Sequence, residues 1–425
     1  MLDVADALAE VLRHTTPRAV VTVPLGPAVL GRVLAEDVIA DRDSPPFAKS
    51  LRDGYAVRAA DCQITAELLV VDEIPAGVMP QKTIGPGETA RIFTGAPIPD
   101  GADAVVMQED TTPSDSGRVR ITDPIVRPGQ YVFPRGREMR AGEVVVPAGT
   151  TLNAASIGVL AGVGRAEIAV VGWPRVSVLA TGDELVDVGR SPGPGQIRNS
   201  NGPMLTAQAT DAGAIVTDRG IVRDDPTELR ARIGAALTES DVVLLAGGVS
   251  AGTYDLVPGV LQELGVEARF HRVRMKPGKP LFFGTAGNVL VFGLPGNPVS
   301  GFVCFELFVR PALRVLAGDT KRGPKAIQLP LSEAIAESND RPTYRPAKLE
   351  VAEVGWAVRP LSWAGAPDLR GVQDADALIV LPAGDARFDR GMPVEVVLIP
   401  PPQAPRLDAL GRGEPHSIIP GRILA

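Results

Sequence analysis

Residues 242–255 read Val-Val-Leu-Leu-Ala-Gly-Gly-Val-Ser-Ala-Gly-Thr-Tyr-Asp. Five apolar residues in a row predict a strand covered on both faces. The strand runs straight into two glycines, a serine and a third glycine. Small residues let a backbone approach an anion closely, and successive amides can form a nest for an oxyanion. A tight structural turn would not need so many of them. Asp255 closes the stretch and could hold a metal at its rim. Working outward, similar short apolar runs recur at 168–171, 176–180, 215–216, 281–283 and 289–292, with helical patterns between them at 204–212 and 226–237. Strands alternating with helices argue for a parallel, doubly wound sheet in an α/β domain. Ligands of such sheets bind beyond the carboxyl ends of the strands, so the polar loops there gain weight from their position.

Five more loops of this domain qualify. Thr181-Gly182-Asp183-Glu184 follows the 176–180 run and offers a hydroxyl, a flexible glycine and two carboxylates. Such a set can coordinate Mg²⁺ or orient a phosphate, and it also suits a capped turn. Residues 196–203 place Asn201 at a helix start, where free amides accept either a capping side chain or an anion. In Asp224-Asp225-Pro226-Thr227-Glu228, Asp225 reads as N-cap, Pro226 as the first helical residue and Glu228 as the third, a capping-box pattern. Asp225 thus has a structural task, and Asp224 is the better ligand candidate. Lys276-Pro277-Gly278-Lys279 holds two lysines on a stiff frame suited to a tetrahedral oxyanion, or simply to solvent. In Leu294-Pro295-Gly296-Asn297-Pro298, Pro298 reads as the first residue of a helix and Asn297 as its cap, so this loop contributes shape.

Around this domain the pattern changes. Residues 1–14 carry an apolar stripe through Val4, Leu8, Val11 and Leu12 and predict an amphipathic helix. Residues 60–136 alternate short apolar runs with Pro, Gly and Asp turns and predict a small β-barrel or sandwich. The segment 141–149 leads to a short helix expected at 153–161, with the chain returning here to pack on its first helix. Beyond 324 the runs at 347–351, 377–381 and 394–399 predict an all-β, barrel-like C-terminal domain. Residues 403–425 read as a loose tail.

Composition excludes several classes. The formal net charge is −7 and no long Lys/Arg run occurs, which speaks against nucleic acid. The most apolar long stretch, 299–317, is interrupted by Glu306 and Arg310 and reads as a buried helix rather than a membrane span. No signal peptide is evident, and two distant cysteines, Cys62 and Cys304, fit a reducing, cytoplasmic compartment and read as packing residues. Only His14, His271 and His416 are available, too few for a multi-histidine zinc site and poor material for a serine–histidine triad. Chemistry must rest on carboxylates, lysines, hydroxyls and backbone amides.

The order of the motifs is more specific than any one of them. Asp53-Gly-Tyr-Ala, Phe93-Thr-Gly-Ala-Pro, Arg135-Gly-x-Glu, Thr181-Gly-Asp-Glu-Leu, Gly247-Gly-Val-Ser-x-Gly, Lys276-Pro-Gly-Lys-Pro and Leu294-Pro-Gly-Asn-Pro-Val-Ser resemble, in sequence, the molybdopterin molybdenumtransferase family, which includes bacterial MoeA and the E-domain of gephyrin. The resemblance spans about residues 1–400. It implies an elongated multidomain chain: an N-terminal domain from 1–43 and 137–167, an inserted β domain at 44–136, the α/β molybdopterin-binding domain at 168–318 and a β domain at 319–402. It implies a homodimer whose site lies between the α/β domain of one subunit and the second domain of the other. The implied reaction takes adenylylated molybdopterin and molybdate with Mg²⁺ as helper, cleaves the phosphoanhydride, loads molybdenum and releases AMP. Other proteins of molybdenum cofactor biosynthesis are implied partners.

Carried over by position, the resemblance assigns catalytic roles to Asp53, Thr94, Glu138, Glu184, Asp224 and Asp255, with Glu184, Asp224 and Asp255 as metal ligands. It assigns substrate binding to Thr181, Gly182, Asp183, Asn201, Gly247, Gly248, Ser250, Lys276, Lys279, Pro295, Pro298 and Arg345. Four positions depart from the family pattern. Glu138 stands where Asp is frequent, Ala180 where serine precedes Thr-Gly-Asp-Glu, and Gly371 where serine precedes the 375–378 segment. Arg52 replaces a common Met and is placed to pair with Asp53. Two alternatives are weighed. A molybdopterin adenylyltransferase would need only residues 170–317, and a non-catalytic scaffold would tolerate loss of the carboxylates. A tungstate-handling relative would read the same.

Overall fold

The computed structural model describes residues 1–62, 66–123, 125–248, 256–320, 323–353 and 355–401. The chain forms two compact units, Met1–Ala35 with Gly149–Asn153 and Glu167–Ala425, and Glu36–Ala148 with Ala154–Ala166.

The first unit is built on a six-stranded sheet in the order Ile215–Val222, Arg175–Thr181, Val242–Ala246, Val289–Leu294, Phe282–Ala286, Glu267–His271. The first four strands are parallel, Phe282–Ala286 runs antiparallel to both its neighbours, and Glu267–His271 therefore resumes the direction of the first four. The Val242–Ala246 strand lies at its centre and is buried throughout. Its side chains alternate between two cores. Val242, Leu244 and Ala246 pack with Leu205 and Ala209 of the Asn201–Asp211 helix, while Val243 and Leu245 meet Leu229, Ile233 and Leu261 of the Pro226–Glu239 and Val257–Glu263 helices. Both faces are covered by helices, which is why this strand lacks the polar alternation of a half-exposed one. Burying one such side chain contributes about 1.5–3 kcal/mol.

The stretch 299–317 is three helical segments end to end: Pro298–Cys304, a π turn over Phe305–Val309, and Arg310–Leu316. Of its three charged side chains, Glu306 and Arg310 are buried and paired, while Arg314 is half-buried and pairs with Asp319. Arg310 Nε lies 2.6 Å from Glu306 Oε2, Arg310 Nη1 lies 2.9 Å from Asp211 Oδ2, and Gln208 Nε2 donates to Glu306 Oε1 at 2.7 Å. No helix among the described residues is long and apolar enough to cross a membrane.

The first helix, Val4–Arg13, buries Ala7 and Val11 in the α/β core beside Phe308 and Ala312. That corrects the expectation that residues 141–161 return to pack on it. Its stripe is satisfied by the helical layer of the sheet. The C-terminal part is a five-stranded antiparallel sheet, ordered Ala326–Pro330, Pro393–Leu398, Ala377–Leu381, Thr343–Val351, Trp356–Pro360, with a separate hydrogen-bonded pair, Ile335–Asn339 and Gly384–Phe388. Tyr344, Val372, Leu378 and Val397 join it to the α/β core.

In the second unit the expected small β structure is a six-stranded mixed sheet, Ala104–Met107, Gly54–Val57, Glu88–Ile92, Glu67–Ile74, Arg118–Ile121, Thr111–Ser114. Val57, Leu68, Val106 and Ile121 fill one core, and Ala56, Ile74, Ile92 and Val105 the other. The predicted short helix is Ala154–Gly162.

Candidate functional site

The three central strands of the α/β sheet end in register. Ala180 pairs with Ala246, and Ala246 with Leu294, so the loops starting at Thr181, Gly247 and Pro295 emerge side by side. They open onto a cleft of about 860 Å³. Thr181, Gly182, Glu184, Asn201, Asp224, Gly247, Gly248, Pro295 and Pro298 all line it. Gly247 and Gly248 adopt φ of +93° and +64°. A Cβ on Gly247 would lie 2.6 Å from Thr181 O, and one on Gly248 would lie 2.6 Å from Thr181 Oγ1 and 2.8 Å from Val257 Cγ2. Only glycine tolerates both the conformation and this approach.

Among the described residues, two buried acceptors of the cleft have no partner. The Thr181 hydroxyl, on a residue 3% exposed, makes no hydrogen bond to any described residue. Asn201 donates its amide Nδ2 to Gly296 O at 2.7 Å, which leaves Oδ1 unbonded. Leaving such a buried polar group unpaired costs about 1–3 kcal/mol, so these atoms mark places where a ligand would supply the missing donor.

Capping and lining duties fall on adjacent residues. Asp225 accepts Glu228 N at 2.8 Å as the N-cap, which leaves Asp224 for the cleft. Likewise Asn199 accepts Gly202 N at 2.9 Å, and Asn201 faces the cleft. Asn297 occupies the N-cap position of its helix, but its side chain makes no capping bond. Asp183 does not line the cleft. Its Oδ1 accepts Asp224 N at 3.3 Å and so positions the Asp224 loop. Arg198 was not singled out by sequence, yet it is the one cationic side chain among the described residues lining the cleft. Its place in the 196–203 loop was the available signal. Ser250 and Asp255 lie outside the described residues. Among the described residues no three Asp, Glu, His or Cys groups converge as a metal cluster. Glu184 and Asp224 share the cleft, which fits Mg²⁺, an ion that takes one or two carboxylates and keeps its other positions for water and phosphate.

Lys276 and Lys279 do not line this cleft, although Pro280 does. Lys276 Nζ is 2.8 Å from Glu337 Oε1, and Arg345 Nη1 is 3.9 Å from Glu337 Oε2. Lys279 is exposed. Burial raises the Cys62 thiol to about 11 and raises Cys304 further, so both behave as packing residues.

In the second unit, Asp53 and Thr94 meet. Asp53 Oδ1 accepts the Thr94 backbone N–H at 2.7 Å and its hydroxyl at 2.8 Å. These bonds hold the carboxyl below its ordinary range. The expected Arg52–Asp53 pairing is corrected. Arg52 lies over the Tyr131 ring at 5.7 Å, a cation–π contact, while Thr94 engages Asp53. Glu138 accepts the Ser44 hydroxyl at 2.8 Å and lies 3.8 Å from Lys49 Nζ.

Comparison with known proteins covers nearly the whole chain. Three family models match in order: MoeA N-terminal region (domain I and II) over residues 2–164, probable molybdopterin binding domain over 177–315, and MoeA C-terminal region (domain IV) over 328–399. A molybdopterin molybdenumtransferase of Staphylococcus aureus strain Mu50 is 35% identical over 402 residues, 93% of this chain and 95% of that protein. Two crystal structures of molybdopterin biosynthesis MoeA protein from Pyrococcus horikoshii superpose with TM-scores of 0.79 and 0.80, at 33% and 29% identity, each covering 94% of this chain and 100% of the other.

Proposed function

The chain belongs to the molybdopterin molybdenumtransferase family, and on that premise we propose that it transfers molybdenum from molybdate to adenylylated molybdopterin, releasing AMP and forming molybdenum cofactor. The observation that carries the proposal is the cleft, where loops from neighbouring strand ends bring carboxylates, glycine amides and unpaired acceptors together.

The roles follow from the chemistry of each group. Gly247 and Gly248, with Ser250, offer amides and a hydroxyl to phosphate oxygens. Thr181 Oγ1 and Asn201 Oδ1 accept N–H donors of a pterin, completing bonds that the protein leaves open. Glu184 and Asp224, with Asp255, would hold Mg²⁺, which would supply positive charge to the phosphoanhydride oxygens. Gly182 lets the Thr181–Glu184 turn approach the substrate, Asp183 positions Asp224, and Pro295 and Pro298 set the loop shape. Lys276, Lys279 and Arg345 serve the molybdate oxygens. Asp53, kept ionised by Thr94, acts as an acceptor rather than an acid, and Glu138 supports the same reaction. The proposal includes a cytoplasmic homodimer divided into four domains at the sequence boundaries given above.

Purified protein, adenylylated molybdopterin, molybdate and Mg²⁺ are to be combined, following AMP release and activation of a molybdenum-free apoenzyme. Molybdate-dependent AMP release is expected. Its absence sinks the reading, and ATP-dependent adenylylation of molybdopterin in its place points to the adenylyltransferase. Mass measurement in solution tests the homodimer, which a single-chain mass overturns.

A further inference from the structure

Glu337 belongs to the Ile335–Asn339 strand, paired with Gly384–Phe388, and no sequence motif marked it. Its carboxylate is 16% exposed and lies between two cations assigned above to the incoming oxyanion. Lys276 Nζ is 2.8 Å from one oxygen and Arg345 Nη1 is 3.9 Å from the other. The lysine is aimed there by its backbone. Lys276 N donates to Pro342 O at 2.9 Å, and Lys276 O accepts Tyr344 N at 2.7 Å, so loop and strand are stitched on both sides of the side chain.

The arginine is incompletely satisfied. Its Nη2 donates to Leu361 O at 3.3 Å, its contact with Glu337 is long, and its Nε is buried without a hydrogen bond. A planar carboxylate with two oxygens does not engage both cations closely. A tetrahedral dianion carries four oxygens and twice the charge, and it has more acceptors to offer them.

We propose that Glu337 is a resident counter-anion of the molybdate site. It gathers Lys276 and Arg345 while the site awaits substrate, and it must be displaced from them when a tetrahedral dianion binds. Glu337 is therefore a specificity-determining residue. Its charge excludes weakly charged anions, because only a ligand with a stronger hold on both cations outcompetes it. This inference rests on the reading of Lys276 and Arg345 as the oxyanion site.

The test is equilibrium binding of molybdate, sulfate and chloride to the full chain, without pterin. Glu337→Gln keeps the size of the side chain and removes its charge. It is expected to tighten molybdate and sulfate binding at least about tenfold and to make chloride a better competitor, with Glu337→Asp lying between. A residue needed only for structure would not improve binding when changed. Unchanged or weaker molybdate binding in Glu337→Gln overturns the inference, and if that variant does not fold, Glu337→Asp is read by the same criterion. Lys276→Ala and Arg345→Ala separate the two levels. If both leave molybdate binding intact, the oxyanion-site reading itself has failed. If both abolish it while Glu337→Gln gives no tightening, only the counter-anion role is lost.

Discussion

Thr181 and Thr94 are the same residue in two regions, and their hydroxyls are treated in opposite ways. Thr94 is exposed, and it spends both its hydroxyl and its backbone N–H on Asp53. Thr181 is buried at a strand end, and its hydroxyl bonds to none of the described residues. One region completes its polar network internally and presents a finished, ionised carboxylate. The other leaves buried acceptors open at a stability cost. The cleft keeps acceptors open to a ligand's donors, the role proposed for it above, while the Asp53 turn holds one charge in place.

The contrast can be broken most violently at Gly248. Gly248→Ala places a Cβ against the Thr181 hydroxyl and Val257 at positive φ, and is expected to cost about 2 kcal/mol or more by urea denaturation while closing the cleft to nucleotide. Wild-type stability with intact turnover would refute the close-approach argument. Asp224→Ala comes next. Loss of a carboxylate that acts on a phosphoanhydride is expected to reduce AMP release on the order of 10²-fold with the fold unchanged by circular dichroism. Full turnover removes Asp224 from the mechanism.

Thr181→Val sharpens the comparison. It keeps the shape and deletes an unpaired hydroxyl, so stability should hold or rise. Pterin affinity should fall by about 1–3 kcal/mol if that hydroxyl receives a donor from the ligand. Unaltered affinity in a calorimetric titration would show the orphan acceptor to be incidental. Thr94→Val is expected to have the smallest effect. The Asp53 carboxyl sits below the ordinary aspartate value, chiefly through the Thr94 backbone N–H and then its hydroxyl. Its stabilising contribution is therefore present above the unfolded value and lost as pH falls through the folded one. Removing the hydroxyl should move the carboxyl upward only part of the way, read by carboxyl NMR titration, because the backbone bond remains. No movement would mean that the hydroxyl bond contributes nothing.

The Val242–Ala246 strand, the two glycines that end it and the Asp225 cap were legible in the sequence because each depends on nearest neighbours and on a short repeat. That logic failed for the first helix. Its stripe of Val4, Leu8, Val11 and Leu12 announced a face that needed burial, and packing chose the α/β core as the place, with Ala7 and Val11 buried most fully. It failed again at Arg52, whose neighbour in sequence is Asp53 but whose neighbour in space is Tyr131.

The sequence by itself determined the alternation of strands and helices, the cap residues, the glycines and the ordered motifs that carry the family resemblance. These are local properties, set by backbone sterics and by the spacing of apolar side chains. Only the tertiary structure decided which acceptors stay unpaired, that Asp183 serves Asp224, that Arg198 enters the cleft, and that Glu337 meets Lys276 across 61 residues of chain. Hydrogen-bond satisfaction and charge pairing depend on distances of a few ångströms between groups remote in sequence, and those distances exist only once the sheets have packed.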